Sequence, residues 1–239
     1  MQDSGSGGNA SLRRPVFSAE TGLRIMETGE YNESIHSEQS ETGCFAVFIL
    51  WEGAMEIRVM NENSAELPVL EAINEEAIPE DERCSLSDML ATGASVWCIV
   101  SDREPAGFMA VRHYGNLVYL AYLAVRKDLR SKGIGGSAVR ELIRRSPGRQ
   151  VVVEYEAPES PDVLNAVKRF YLRNGFYETE WYTHYDNTLF EIGCSERDFD
   201  SEEFRAFAAD IAKVVSDHIP NPFRKSETPD AAERRTVSL

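Results

Sequence analysis

Nine consecutive apolar or aromatic residues, Leu117 to Val125, run without any alternation of polar and apolar positions. A strand with one wet face alternates, so an unbroken run bounded by turn residues belongs at the centre of a sheet covered on both faces. The next segment narrows the possibilities. Arg126 to Lys132 is mostly charged, Gly133, Gly135 and Gly136 loosen the chain, and from Gly136 to Arg145 the residues Ala138, Val139, Leu142 and Ile143 recur at helical spacing before Pro147 and Gly148. A buried strand, a charged glycine-rich loop and an amphipathic helix place a site at the C-terminal end of that strand.

The flanking pattern supplies the other elements. Glu56 to Met60 alternates as a strand, and Ser64 is placed to cap a helix carrying Val69, Leu70, Ile73 and Ala77, which Pro79 ends. A short helix fits Leu86 to Leu90, closed by Gly93. Strands at Ser95 to Ser101, Ala106 to Val111 and Leu117 to Val125 are joined so tightly that they are antiparallel neighbours. After the helix come a buried strand, Gln150 to Glu156, and a helix started by Ser160-Pro161-Asp162 with Val163, Val167, Phe170 and Tyr171 inward, stopped by Asn174-Gly175. Tyr177 to Tyr185 and Thr188 to Gly193 read as a hairpin. Asp200-Ser201-Glu202-Glu203 reads as a capping box that opens a last helix with Phe204, Phe207, Ala208, Ile211, Val214 and Val215 in its stripe. The fold class is α/β (α+β): a mixed, mostly antiparallel sheet with helices on both faces.

Composition divides the chain. Residues 1–54 include a Gly/Ser-rich start and a polar stretch without period, and read as a disordered leader or extension; 55–220 form the domain; 221–239 read as a frayed polar tail. The net charge of −15 argues against a nucleic-acid partner, which demands clustered Lys and Arg, and an acidic field favours cationic amines. No run approaches the ~20 apolar residues of a membrane span and no signal-peptide pattern opens the chain, so cytoplasmic residence without a membrane partner is expected. Neither the four cysteines nor the four histidines have metal-like spacing, which gives no metal site and reduced thiols. Monomer and homodimer are both open.

Glycines before a helix let backbone N–H groups approach an anion, and the helix N-terminus adds unpaired donors and the positive end of a dipole. Arg130 and Lys132 add charge. A Walker loop needs G-x-x-x-x-G-K-[ST], which does not occur. Gly133-Ile134-Gly135-Gly136-Ser137-Ala138 does match the dinucleotide fingerprint, with Glu154 near the expected distance. However, seven residues separate Val125 from Gly133, and the upstream strands are antiparallel, both contrary to a Rossmann unit.

Leu123-Ala124-Val125 followed by Arg130-Ser131-Lys132-Gly133-Ile134-Gly135 resembles the motif of the GNAT (GCN5-related N-acetyltransferase) family, in which a strand ending in an LAV-like tripeptide leads into [RQ]-x-x-G-x-[GA]. Phe170-Tyr171-Leu172-Arg173-Asn174-Gly175-Phe176 resembles the same family's FY-x-x-x-GF segment. The departures are Lys127 where a proline is common and Ser131 where a smaller residue often follows the arginine; neither removes a backbone donor.

The resemblance implies a splayed parallel strand pair, Leu117 to Val125 beside Gln150 to Glu156, with acetyl-CoA in the opening as cosubstrate. It assigns cofactor contacts to Leu123, Ala124, Val125, Arg130, Ser131, Lys132, Gly133, Ile134, Gly135 and Gly136, and an approximate match to Asn165. Tyr171 matches the family's acid, which protonates the departing thiolate. For the base, the central strand carries Tyr119 and Tyr122 rather than an acid, which leaves Glu154 first and Glu156 second on the neighbouring strand, acting through water, or a substrate that is already neutral. The implied activity is acetyl transfer to a primary amine of a small molecule or a peptide terminus; the alternative is a non-catalytic module that binds acyl-CoA or a partner.

Overall fold

The computed structural model describes residues 55–80, 82–157, 165–185, 188–214 and 221–224. In chain order the elements are β1 (Glu56–Val59), α1 (Leu67–Ala77), α2 (Leu86–Ala91), β2 (Ser95–Ser101), β3 (Glu104–Tyr114), β4 (Leu117–Val125), α3 (Ile134–Arg144), β5 (Gln150–Glu156), α4 (Ala166–Arg173), β6 (Tyr177–Tyr185), β7 (Thr188–Cys194), α5 (Ser201–Ile211) and β8 (Phe223–Arg224). A single 3₁₀ turn, Lys127–Leu129, lies between β4 and α3.

The strands form one sheet in the order β1-β2-β3-β4-β5-β7-β6-β8. All neighbours are antiparallel except β4 and β5. The unbroken apolar run is therefore a central strand, as its composition demands. Alternation along the strands sorts the core into two faces. Trp97, Ile99, Val118, Val151, Val153 and Tyr155 pack with α3 and α4. Val96, Cys98 and Val100 pack on the opposite face with α1 and α2. Leu117, Val152, Ile192 and Cys194 lie on that second face too, under Phe204 and Phe207 of α5. Each fully buried Phe or Leu of these layers contributes on the order of 1.5–3 kcal/mol relative to exposure.

Several boundaries differ from the sequence expectation, each for a local reason. Ser64 does not cap α1: its hydroxyl accepts from the Asn61 N–H at 2.9 Å in the preceding turn, and Glu66 occupies the N-cap. α4 starts at Ala166 with Asn165 as its cap, the Asn165 Oδ1 accepting from the Lys168 N–H at 2.6 Å; the expected start at Ser160-Pro161-Asp162 lies outside the described residues. Asp200 does cap α5, accepting from the N–H groups of Glu202 and Glu203. Glu203 does not complete a capping box. It accepts from Asn116 N–H at 2.6 Å and from Gln150 Nε2 at 3.1 Å, and the Gln150 Oε1 takes the Asp200 N–H instead. Val214 is 54% exposed beyond the end of α5, so the apolar stripe stops at Ile211.

Within the tail expected to fray from Asn221, Phe223–Arg224 pairs with Tyr182 and Trp181 at the edge of β6. Arg205 and Arg224 each place a guanidinium over the Trp181 ring, 5.3 and 5.2 Å from its centroid, a cation–π arrangement that fixes this short strand. The leader, 1–54, lies outside the described residues.

Candidate active site

The pairing of β4 with β5 ends early. Leu117, Val118 and Tyr119 pair with Gln150, Val151 and Val152, and beyond Tyr119 the two strands part. A second irregularity coincides with the split. Against β3, Leu120 pairs with Val111 and Tyr122 with Ala110, so Ala121 is an extra residue in β4, a bulge that re-aims the strand. Below the bulge, the Arg126 N–H donates to the Ala106 carbonyl at 2.8 Å, which turns Arg126 toward β3. With a period of two, Ala124 faces β3 as well, and Leu123 and Val125 turn their N–H groups to the edge that β5 has left. Ala124 thus commits its peptide to the β3 ladder.

At the end of that edge lies the glycine-rich loop. Gly133 is the N-cap of α3 with φ of 82°, a left-handed conformation that L side chains rarely adopt. Ser131 is also left-handed, with φ of 62°. The first N–H to bond within α3 is that of Ser137, donating to the Gly133 carbonyl at 2.9 Å. The N–H groups of Ile134, Gly135 and Gly136 precede it and point out of the helix end. Ser131, Lys132 and Gly133 are exposed. Arg130 folds back, its Nε donating to the Val125 carbonyl at 3.0 Å, while its buried Nη2 has no partner among the described residues. A Cβ on Gly135 would meet only Val125 Cγ2 at 3.5 Å and Phe170 Cζ at 3.6 Å, ordinary contacts. Gly135 is therefore not required for packing, unlike Gly136.

Tyr171 sits on α4, 3% exposed. Its ring is stacked on Tyr155 of β5, with centroids 5.8 Å apart and planes at 14°, and is held edge-on by Phe170 and Phe176. Burial pushes its phenol well above the ordinary range, so it keeps its proton at neutral pH. The helix that carries it is clamped to the sheet by Lys168, whose Nζ donates to both oxygens of the buried Glu191 at 2.9 and 2.8 Å and also pairs with Glu178.

Glu154 lies on the other face of β5, since Tyr155 is its chain neighbour. It is 4% exposed, and its partners are hydroxyls: Tyr119 at 2.7 Å, Tyr185 at 3.0 Å and Thr183. No ion pair among the described residues includes it. Glu156 is only partly buried, and its carbonyl accepts from Asn165 Nδ2 at 2.7 Å. With Oδ1 capping α4, both polar ends of Asn165 serve to join β5 to α4.

Tyr171, stacked on Tyr155, and Glu154 thus lie on opposite faces of the sheet, at the stretch of β5 beyond its pairing with β4. The sequence reading missed Thr183 and Tyr185. They lie two apart on β6 and so share a face, but a register shift between Glu178 and Tyr182 hides which face that is. It also missed the Ala121 bulge, which no glycine marks. Among the described residues no group of side chains has the arrangement of a metal site, and no helix is long and apolar enough to cross a membrane. Cys84, Cys98 and Cys194 are free, and burial pushes each thiol up to about 11.

Residues 92–178 match the family model described as the acetyltransferase (GNAT) domain, a span that runs from the end of α2 into β6 and holds both motifs. Over that span the chain matches the GNAT domain, and the resemblance carried by those motifs is borne out. A putative GNAT-family acetyltransferase from Bacteroides thetaiotaomicron shares the fold with a TM-score of 0.54 at 20% identity, over 67% of this chain and 97% of that one. NAA60 of Arabidopsis thaliana, solved in complex with acetyl-CoA, aligns at 20% identity over 59% of this chain and 98% of that one, with a TM-score of 0.47. A GNAT acetyltransferase from Elizabethkingia anophelis with acetyl-CoA bound aligns at 14% identity over 59% and 97%, with a TM-score of 0.45. No curated protein sequence matches the chain.

Proposed function

We propose that the protein is an acetyl-CoA-dependent N-acetyltransferase acting on a primary amine of a small molecule or a peptide terminus. The observation that carries this reading is the parting of β4 and β5 after Tyr119 and Val152, which turns the Leu123 and Val125 N–H groups into an opening that ends at the α3 N-terminus. Donors at both ends of one slot fit an elongated ligand with amide and carbonyl groups along its arm and an anionic pyrophosphate at its end. The orphaned Arg130 Nη2 at the same end is a cation in need of an acceptor.

Acetyl-CoA, when bound, supplies an acetyl group activated as a thioester. The N–H groups of Ile134, Gly135 and Gly136, with Arg130 and Lys132, hold the pyrophosphate. Leu123 and Val125 hold the pantetheine arm. Tyr171 keeps its proton because it is buried, and it donates that proton to the departing sulfur. Glu154, an enclosed carboxyl on the opposite face, receives the amine's proton through an intervening group, which leaves nitrogen with the lone pair that attack requires. Acid and base stand on either side of the sheet, so the two substrates enter from opposite faces.

Thiol release from acetyl-CoA with a panel of primary amines and peptides tests this reading. Release that depends on an amine is expected. Tight acetyl-CoA binding with no release across the panel would support a binding module instead.

A further inference from the structure

We propose that Thr183 and Tyr185 are positioning residues that fix the Glu154 carboxylate, and that the proton leaves the acceptor amine through the hydroxyl of Tyr119. This deepens the transferase reading above and rests on it. Glu154 is too enclosed for an amine to meet its carboxylate directly, and of its hydroxyl partners the half-buried Tyr119 is the one carried by β4, as the last β4 residue paired with β5 before the strands part. The Tyr119 hydroxyl donates to Glu154 Oε2 at 2.7 Å. Thr183 Oγ1 donates to Oε1, and the Tyr185 hydroxyl lies 3.2 Å from Oε1 and 3.0 Å from Oε2, bridging the pair.

Packing fixes both phenols. The Tyr119 ring lies against Phe204 and Phe207 of α5, with centroids 6.4 and 5.1 Å away, and the Tyr185 ring stands edge-on to Phe190 at 5.1 Å. An ionised carboxylate only accepts, so hydroxyls on both oxygens fit Glu154 in its charged form and set its orientation. Held in this way by β6, the carboxylate turns Oε2 to Tyr119. The amine proton then passes to the Tyr119 oxygen as the phenol's own proton passes to Oε2. The phenol ends unchanged, Glu154 ends as the carboxylic acid, and the nitrogen lone pair is free.

Removing a donor from the charged form raises the pH at which a carboxylate gives up its proton. The titration of Glu154, followed by carbon NMR of glutamate-labelled protein and assigned with Glu154→Gln, is therefore expected to move upward in Tyr185→Phe and in Thr183→Val, and to return in Thr183→Ser. With butylamine and a short alanine-initiated peptide as acceptor probes, the rising limb of kcat against pH should move with it while the acetyl-CoA KM stays put. Tyr119→Phe should lower kcat by roughly 10²-fold or more. Folded Tyr185→Phe and Thr183→Val proteins with an unmoved Glu154 titration would overturn the positioning role, and wild-type kcat in Tyr119→Phe would overturn the relay. If neither probe yields thiol from the wild type, the transferase reading falls and the relay with it, while the titration still decides whether the hydroxyls position Glu154.

Discussion

Asn174 closes on the first turn of α3 so tightly that a Cβ placed on Gly136 would lie 2.6 Å from the Asn174 Oδ1. The Asn174 Nδ2 donates to the Phe170 carbonyl at 2.7 Å, and its Oδ1 accepts from Arg140. Two motifs that are far apart in sequence thus share one junction. Gly136, directly after the loop motif, admits the asparagine that ends α4, on the helix whose Tyr171 stacks on Tyr155 of β5.

Gly135 is the place to test the cradle, because the neighbouring side chains leave room for a Cβ there. Gly135→Asp is expected to fold and to weaken acetyl-CoA binding, because a carboxylate then faces the pyrophosphate. Two charges about 4 Å apart interact by roughly 1–4 kcal/mol as the effective dielectric falls from water to that of a protein surface. Calorimetry should therefore show affinity lower by roughly one to three orders of magnitude. Unchanged affinity would place the pyrophosphate elsewhere.

The clamp on α4 has its own signature. Burial pulls Lys168 down, but its hydrogen bonds to Glu178 and Glu191 outweigh this, and its ammonium is held above the ordinary value. A folded-state value raised in this way contributes stability fully below the unfolded value, and that contribution is lost as pH rises through the folded value. Lys168→Met leaves Glu191 buried without its cation, a loss of about 3–5 kcal/mol. Urea unfolding should show that loss near neutral pH and a smaller difference from wild type in strong alkali. Equal midpoints at neutral pH would mean that the pair contributes nothing.

The periodic parts of this chain were legible and the irregular parts were not. Leu117 to Val125, the α3 stripe and the α5 stripe announce their burial because the period of each pattern matches its element. The loop motif and Tyr171 were legible because glycines before a helix and an aromatic at the end of one leave marks in the residue types. The Ala121 bulge and the left-handed Glu180 within β6 leave none, since alanine and glutamate suit regular strands equally well. Glu154 was read as a strand carboxylate near the site. Its hydroxyl partners Thr183 and Tyr185 come to it through the β6 irregularity, which only tertiary packing sets.

The domain boundary is tested by truncation. We propose that a chain beginning at Met55 and retaining the C-terminal residues folds and binds acetyl-CoA as the full chain does, because the first strand among the described residues is Glu56–Val59. Calorimetry on both proteins should give the same affinity. Insoluble or non-binding truncated protein would make residues 1–54 part of the domain.

Tyr171→Phe tests the central claim most directly, since it removes one hydroxyl and keeps the ring that stacks on Tyr155. Steady-state thiol release with an accepted amine, beside calorimetric acetyl-CoA binding, separates chemistry from affinity. The expected result is a kcat lower by a factor on the order of 10²–10⁴, the range of general acid–base assistance, with acetyl-CoA affinity unchanged. Wild-type turnover in the folded Phe variant would contradict the account and leave Tyr171 as a packing residue only.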